Sequence, residues 1–203
     1  MKAIPLVIRR AYFEGFLNAG IGIAGYDLGE VRGAPGSSKQ FTSFYDEMVR
    51  RGWSFKPILL GQSRGGLIAL AWAMRNPEKT QAFVGIYPVC NLKTWGLKNM
   101  PAMLADYKLP EAELRDKIAD FNPLNNLKGL IEKKVPMFIV QGLVDKAVPH
   151  TENAVLLKEL YEAGKAPITL KLFEGLGHET APEFFENKEL IEFVLKQAEA
   201  KGK

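Results

Sequence analysis

The stretch LLGQSRGGLIALAWA, residues 59–73, places one serine at the corner between two apolar runs. The first run has the length of a buried strand, and the second has the composition of a helix. Residues 61–65 fit Gly-x-Ser-x-Gly, a pattern that exposes a serine hydroxyl where a strand turns into a helix. A structural corner needs glycine but not this serine, so Ser63 predicts chemistry if a base and an acid lie within its reach.

Composition and charge exclude several classes of protein. The 203 residues, 47% hydrophobic and 25% charged, are typical of a soluble globular chain, and we predict one domain over residues 1–203. The net charge of +4 comes from scattered basic residues and gives no support to nucleic-acid binding. A lone cysteine, Cys90, excludes a cysteine-based metal cluster, and no metal site is expected. Without a membrane-spanning run or a secretory signal, the expectation is a cytoplasmic protein with no membrane contact.

Short apolar runs alternate with helical patterns along the chain. This alternation predicts an α/β protein in which helices cover both faces of a parallel sheet of about five to six strands. The predicted strands are Ile4–Ile8, Ile21–Tyr26, Pro57–Leu60, Ala82–Tyr87, Met137–Gln141 and Thr169–Phe173. The predicted helices are Phe41–Arg51, Gly66–Arg75, Glu111–Asp120, Glu152–Ala163 and Asn187–Ala200.

The longest stretch without a predicted strand runs over residues 91–130. It is interpreted either as a small helical lid insertion over the site or as plain helical packing, and both readings stay open. Trp95 in this stretch is a candidate for the wall of an acyl-binding pocket. Apolar residues of this kind are more often part of a core.

A serine hydroxyl needs a base, and the chain contains only two histidines, His150 and His178. His178 follows the last predicted strand, in a loop with glycines at the carboxyl end of the sheet, and is the favoured base. His150 opens a predicted helix and is interpreted as a rim or structural residue.

An imidazole base needs a carboxylate that fixes its tautomer and stabilises its charged form. Asp145 directly follows a predicted strand and gives the chain order Ser, Asp, His, so it is the favoured acid. Glu174 and Glu179 are the alternatives, but their closeness to His178 along the chain makes the geometry awkward.

These segments resemble those of α/β-hydrolases, in particular the prolyl-oligopeptidase and dienelactone-hydrolase-like group of bacterial esterases. GQSRGGL is similar to their nucleophile turn, NPLNNL followed by VPMFIVQGLVDKAVPHTEN to their acid segment, and LGH to their histidine loop. The resemblance covers most of the chain and implies an α/β-hydrolase fold, a three-layer sandwich, with Ser63, Asp145 and His178 as nucleophile, acid and base. It also implies a front edge shortened before Ile4–Ile8, because members usually have further strands there.

Two backbone donors are expected to bind the oxyanion of the reaction. The N–H of Arg64, at the start of the helix, is the first. The family forms its second donor in the loop after the strand that resembles Ile4–Ile8, often at His-Gly, where this chain reads RRAYFEG. By position the N–H of Ala11 or Tyr12 is the candidate, whereas one helix through RRAYFEGFLNAG leaves the second donor unassigned.

The sequence therefore predicts a serine esterase that cleaves short-chain carboxylic esters through an acyl-enzyme and needs no cofactor. One alternative is a serine peptidase or aminopeptidase of the prolyl-oligopeptidase type. Another is a catalytically weak or inactive hydrolase-fold protein that serves binding. The expected partner is a small-molecule ester, and a homodimer is expected if the shortened front leaves a sheet edge exposed.

Overall fold

The computed structural model describes residues 13–29 and 31–200. Its four strands are parallel and neighbour one another in chain order: β1 (Ile58–Gln62), β2 (Ala82–Ile86), β3 (Met137–Gly142) and β4 (Ile168–Phe173). The helices after residue 34 are α1 (Pro35–Arg50), α2 (Arg64–Ala73), α3 (Leu92–Trp95), α4 (Met100–Tyr107), α5 (Glu111–Phe121), α6 (Lys128–Glu132), α7 (Ala154–Ala163), α8 (Pro182–Phe185) and α9 (Lys188–Glu199). Residues 13–18 are also helical. Short 3₁₀ turns span Pro77–Lys79, Gly96–Asn99, Pro123–Asn125 and His150–Glu152.

The sheet lies between two layers of helices, because successive residues of a strand point to opposite faces. On one face, Phe83 and Met137 belong to a buried cluster with apolar residues of α1, α2 and α7. On the other face, Val84 and Phe138 belong to a second cluster with residues of α8 and α9. This three-layer arrangement confirms the predicted α/β class and its parallel sheet.

Four of the predicted strands are present near their predicted positions, and Ile4–Ile8 lies outside the described residues. The prediction of a strand over Ile21–Tyr26 is wrong. A strand needs a neighbouring backbone for its hydrogen bonds, and no described strand pairs with this segment. Ile23 and Tyr26 are 39% and 50% exposed, so the run lacks the burial that its apolar composition suggested. The described residues therefore give four strands where about five to six were expected.

Four of the five predicted helices start within two residues of the prediction, and the starts of α1 and α7 have a clear physical reason. Helix α1 begins at Pro35 rather than at Phe41, since proline suits the first turn of a helix, where its missing N–H is not needed. Helix α7 begins only at Ala154. Before it, the buried side chain of Asn153 accepts hydrogen bonds from the backbone N–H groups of residues 90 and 91, which interrupts the helix and ties its start to the end of β2.

The stretch over residues 91–130 is helical, from α3 to α6. Its apolar residues form a cluster with Leu67 of α2 and Val89, close to the carboxyl end of the sheet. Leu114 and Met103 in this cluster are completely buried. The role of the stretch as a lid stays a prediction.

The described part of the chain shows neither a membrane-spanning nor a metal-binding feature. In residues 13–29 and 31–200, no helix combines the length and the apolar character needed to cross a bilayer. Nor do three or more His, Cys, Asp or Glu side chains of this part lie together as ligands of a metal ion. Strand β1 forms one edge of the described sheet, with Leu60 38% exposed, and the homodimer expected at a sheet edge stays a prediction.

Candidate active site

Ser63 is the single residue between β1 and α2, and its backbone is strained. Its φ of 51° and ψ of −124° lie in a region that residues other than glycine rarely adopt. Hydrogen bonds hold it there: its N–H donates to the carbonyl of Ile86 at 3.0 Å, and its own carbonyl accepts from the N–H groups of Gly66 and Val89 at 2.9 Å each. The corner is therefore fixed to the carboxyl end of β2, and these hydrogen bonds offset the strain at Ser63.

Two glycines make the close approach of β1 and α2 possible. A Cβ on Gly61 would lie 2.5 Å from the Cα of Gly66, and a Cβ on Gly66 would lie 2.9 Å from the Cα of Pro88. Around Gly65, the second glycine of the motif, a Cβ would meet no atom within 4 Å. Gly61 and Gly66, rather than Gly65, therefore set the packing of the corner.

This difference predicts opposite outcomes for two neighbouring substitutions. Gly66→Ala pushes a methyl group into Pro88 and is expected to destabilise the protein by about 1–3 kcal/mol, the usual range for overpacking. Gly65→Ala is the matched control, and it is expected to leave the stability unchanged or slightly raised, because alanine favours helices more than glycine does. Denaturant unfolding of both variants measures the difference. Equal losses in the two variants would contradict this account of the corner.

His178 is the histidine that the structure brings to Ser63. Its Nε2 lies 2.8 Å from the Oγ of Ser63, within hydrogen-bond distance. The loop that carries it lies against the end of β3, where a Cβ on Gly142 would lie 2.9 Å from the carbonyl oxygen of Gly177. His150, the other candidate, lies instead at the start of the 3₁₀ turn before α7.

Asp145 is the carboxylate that meets His178. Its Oδ2 lies 2.7 Å from the Nδ1 of His178, and its Oδ1 accepts the backbone N–H groups of Ala147 and Val148 at 2.9 and 2.8 Å. Burial acts most strongly on the pKa of Asp145 and raises it, but the hydrogen bonds from His178 and the two backbone groups together bring the pKa below its ordinary value. The carboxylate is therefore ionised at neutral pH, as an acceptor for an imidazole must be.

The alternative acids take no part in this chain of hydrogen bonds. Glu179 instead accepts the backbone N–H of Gly177 through its Oε1 at 3.0 Å, which closes a local turn around His178. Glu174 is exposed at the end of β4. Ser63, His178 and Asp145 thus lie together as the sequence predicted, and their catalytic role stays a prediction.

The structure describes one of the candidate oxyanion donors, the backbone N–H of Arg64. Arg64 is the first residue of α2, so its backbone N–H lies at the positive end of that helix, next to Ser63. Ala11 and Tyr12, the candidates for the second donor, lie outside the described residues. Residues 13–18 are helical, and the assignment of the second donor stays a prediction.

Trp95 lies at the end of α3, half-buried against the apolar cluster of the helical stretch. This cluster includes Val89, whose N–H donates to the carbonyl of Ser63, so Trp95 packs on the same cluster that adjoins the serine corner. Its role in an acyl-binding pocket stays a prediction. Met103, another apolar residue of this cluster, is fully buried.

The sequence did not predict that two glutamines and a tyrosine contact the site formed by Ser63, His178 and Asp145. Gln141 is fully buried in β3, and its Nε2 donates to the Oδ2 of Asp145 at 3.0 Å. Gln62, which precedes Ser63, donates from its Nε2 to the hydroxyl of Tyr87. The ring of Tyr87 packs on the imidazole of His178, with 4.6 Å between the ring centroids. No sequence motif predicts these contacts, and the two contacts of Tyr87 join the ends of different strands.

The match to known families covers most of the described chain. The model of the prolyl oligopeptidase family matches residues 32–199. The chain belongs to the prolyl oligopeptidase family. This membership and the parallel sheet confirm the α/β-hydrolase assignment that the three motifs indicated. A comparison with curated proteins found no match.

Solved structures share the fold of this family member at low sequence identity. A monoacylglycerol lipase from Paleococcus ferrophilus has a TM-score of 0.60 and 17% identity, and the match covers 92% of this chain and 88% of the lipase. An S-formylglutathione hydrolase from Agrobacterium tumefaciens has a TM-score of 0.58 and 18% identity, over 80% of this chain and 56% of the hydrolase. A puromycin-hydrolysing peptidase from Mycobacterium tuberculosis has a TM-score of 0.59 and 17% identity, over 79% of this chain. The match spans only 24% of the length of that peptidase.

The pairing of Asp145 with His178 predicts a large effect of Asp145→Asn in this family member. The amide is expected to lower kcat by about 10³- to 10⁴-fold, because it does not favour the imidazole tautomer that accepts the serine proton. The hydrolysis of p-nitrophenyl acetate measures kcat, and the circular dichroism spectrum checks the fold. A near-normal kcat would exclude Asp145 as the acid and return the role to Glu174 or Glu179.

Proposed function

We propose that this family member is a serine hydrolase that cleaves short-chain carboxylic esters through an acyl-enzyme. The observation that carries the proposal is the chain of hydrogen bonds from Ser63 Oγ through His178 to Asp145, 2.8 and 2.7 Å long. The hydroxyl, the base and the carboxylate are the groups that acyl transfer requires, in the order that it requires. The strained backbone of Ser63 adds support, because strain of this kind is concentrated at functional sites.

In the first half of the reaction, Ser63 Oγ attacks the ester carbonyl carbon while His178 Nε2 takes the hydroxyl proton. The charged imidazole is stabilised by the ionised carboxylate of Asp145. The carbonyl oxygen becomes an oxyanion, for which the N–H of Arg64 is the proposed donor. The proton passes from His178 to the alcohol oxygen as the ester bond breaks, and the alcohol leaves behind an acyl group on Ser63.

In the second half, water repeats the same steps in place of serine. His178 takes a proton from the water, which attacks the acyl carbon and forms a second oxyanion. The bond to Ser63 Oγ then breaks, Ser63 regains its proton from His178, and the carboxylic acid leaves. These steps use no redox change and no cofactor.

The surroundings of Ser63 favour short acyl groups. The His178 side chain is 26% exposed, and Val144, which lies against its loop, is 54% exposed, so the site is open on this side. Two surface cavities of about 400 and 320 Å³ are lined by residues of other regions, around Leu127 and around Thr42. A site that is open on this side buries only the first carbons of an acyl chain.

This geometry predicts how kcat/KM depends on acyl length. Each methylene that becomes buried adds about 0.8 kcal/mol, or about fourfold in kcat/KM. We expect kcat/KM to rise from acetate to roughly six carbons and then to level off, because further carbons stay in water. A series of p-nitrophenyl esters from acetate to palmitate measures the profile, with Ser63→Ala as the background. A steady rise through the long chains would contradict the open site and indicate a lipase-like tunnel.

A peptidase is the second candidate function, and it rests on family membership. The family model is that of a peptidase family, and one structural neighbour is a puromycin-hydrolysing peptidase. A panel of p-nitrophenyl esters and peptide anilides separates the candidates. Turnover of the esters supports the esterase, and turnover of the anilides alone supports the peptidase. If the protein hydrolyses neither class, the hydrolase-fold binding protein becomes the better account.

A further inference from the structure

Tyr87, directly after β2, has a backbone conformation that a bulky residue rarely adopts. Its φ is 36°, on the positive side where the side chain crowds its own backbone. Its N–H donates to the carbonyl of Val140 at 2.7 Å, and its side chain is only 2% exposed. The fold thus keeps a large aromatic side chain at a strained position. Because strain of this kind is concentrated at functional sites, the contacts of the side chain indicate its role.

The ring of Tyr87 contacts the proposed base. Its centroid lies 4.6 Å from that of the His178 ring, and the two planes are tilted by 59°. The hydroxyl of Tyr87 accepts a hydrogen bond from Gln62, the residue next to Ser63. The Tyr87 ring also packs edge-on against Phe184, with 5.2 Å between the centroids. A hydrogen bond and an aromatic contact therefore hold the ring that lies against the imidazole.

The two hydrogen bonds of the His178 imidazole do not fix the tilt of its ring. The bonds of Nδ1 to Asp145 and of Nε2 to Ser63 fix the two nitrogen atoms, but the ring can still tilt about the line that joins them. His178 lies in a loop and its side chain is 26% exposed, so protein atoms pack around only part of the ring. The Tyr87 ring, packed against the imidazole, supplies this restraint. Proton transfer is sensitive to errors in the orientation of the base.

We infer that Tyr87 is a positioning residue, whose ring sets the tilt of the His178 imidazole and is itself set by the hydrogen bond from Gln62. This inference rests on the proposed function, since it assigns to Tyr87 a part in the activity of Ser63. It also gives a reason for the strain at Tyr87: a relaxed backbone there would move the ring away from the base.

The first test compares two truncations in the same apolar cluster. Tyr87→Leu removes the ring on His178 and is expected to lower kcat/KM for p-nitrophenyl acetate by about 10- to 100-fold. Phe138→Leu is the matched control: it makes a similar cavity in the same apolar cluster, and its described ring contact is with Phe193 rather than with Tyr87 or His178. The control is expected to lose stability but to keep kcat/KM within about twofold. Equal losses of kcat/KM in the two variants would overturn the inference.

The second test does not depend on a cavity. Tyr87→Phe and Gln62→Met each remove the hydrogen bond to the hydroxyl while the aromatic ring stays, and each is expected to lower kcat/KM by about fivefold. Because both changes break the same bond, the double variant is expected to be no worse than either single variant. Losses that multiply in the double variant, or no loss in either single one, would contradict the role of Gln62.

A third measurement separates this inference from the proposed function. The chain has two histidines, so untagged His150→Ala protein shows the imidazole resonances of His178 alone in a nuclear magnetic resonance spectrum. Adding Tyr87→Leu is expected to broaden these resonances because the imidazole gains motion, whether or not the protein turns over an ester. Loss of the tyrosine ring current shifts the resonances in any case, so the line width is the quantity compared. Unchanged line widths would overturn the positioning role. Broadened resonances in a protein without esterase activity would keep the positioning role and reject the proposed function.

Discussion

Ser63→Ala is expected to lower esterase kcat by about 10⁵- to 10⁶-fold, the loss typical of removing the nucleophile of a serine hydrolase. Without Oγ no acyl-enzyme forms, and neither His178 nor Asp145 is placed to attack in its stead. The backbone bonds that hold the corner come from the N–H and the carbonyl of Ser63, so they survive the substitution. The hydrolysis of p-nitrophenyl acetate by purified protein measures the loss.

The stability of the variant provides the control for this result. Alanine adopts the strained conformation of residue 63 at about the cost that serine does, and the lost hydrogen bond to His178 lies near the surface. We therefore expect the midpoint of thermal unfolding to change by no more than a few degrees. Full esterase activity in a folded Ser63→Ala protein would reject the proposed mechanism.

His178→Ala is expected to cause a loss of kcat nearly as large as that of Ser63→Ala. The hydroxyl and the imidazole act as one unit, because the hydroxyl is a weak nucleophile until its proton is removed. For the same reason, the double variant Ser63→Ala with His178→Ala is expected to be no slower than either single variant. Steady-state kinetics on one ester compares all three.

His150→Ala is the matched control for His178. It removes the other histidine of the chain from the 3₁₀ turn before α7 and is expected to change kcat by less than about tenfold, as for a residue outside the reacting groups. The reverse ranking, with His150 essential and His178 dispensable, would contradict the hydrogen bond between His178 and Ser63 as the basis of activity.

The sequence was most informative where one local pattern carries its own structural reason. A buried strand that turns sharply into a helix needs glycine and exposes one side chain, so residues 59–73 predicted both the corner and Ser63. Asp145 and His178 were predicted next to Ser63 because the carboxyl ends of parallel strands meet at one edge of the sheet. The structure brings these three side chains together within hydrogen-bond distance.

The sequence was less informative where structure depends on neighbours that are distant along the chain. The segment Ile21–Tyr26 has the composition of a strand, but a strand needs a partner for its backbone hydrogen bonds, and no described strand pairs with it. Gly65 stands in the motif, yet the close packing at the corner depends on Gly66 and its contact with Pro88. The contact of Tyr87 with His178 joins the ends of two strands, and no spacing in the sequence marks it.

The central claim is that His178 and Asp145 activate Ser63, and one measurement tests it most directly. A fluorophosphonate reacts with an activated serine, whose Oγ displaces fluoride from phosphorus and forms a stable covalent adduct. We predict that mass spectrometry of the folded wild-type protein finds one adduct, on Ser63, and that His178→Ala protein forms it at least about 100-fold more slowly. The absence of an adduct in the wild-type protein, or an adduct on another residue, would contradict the account.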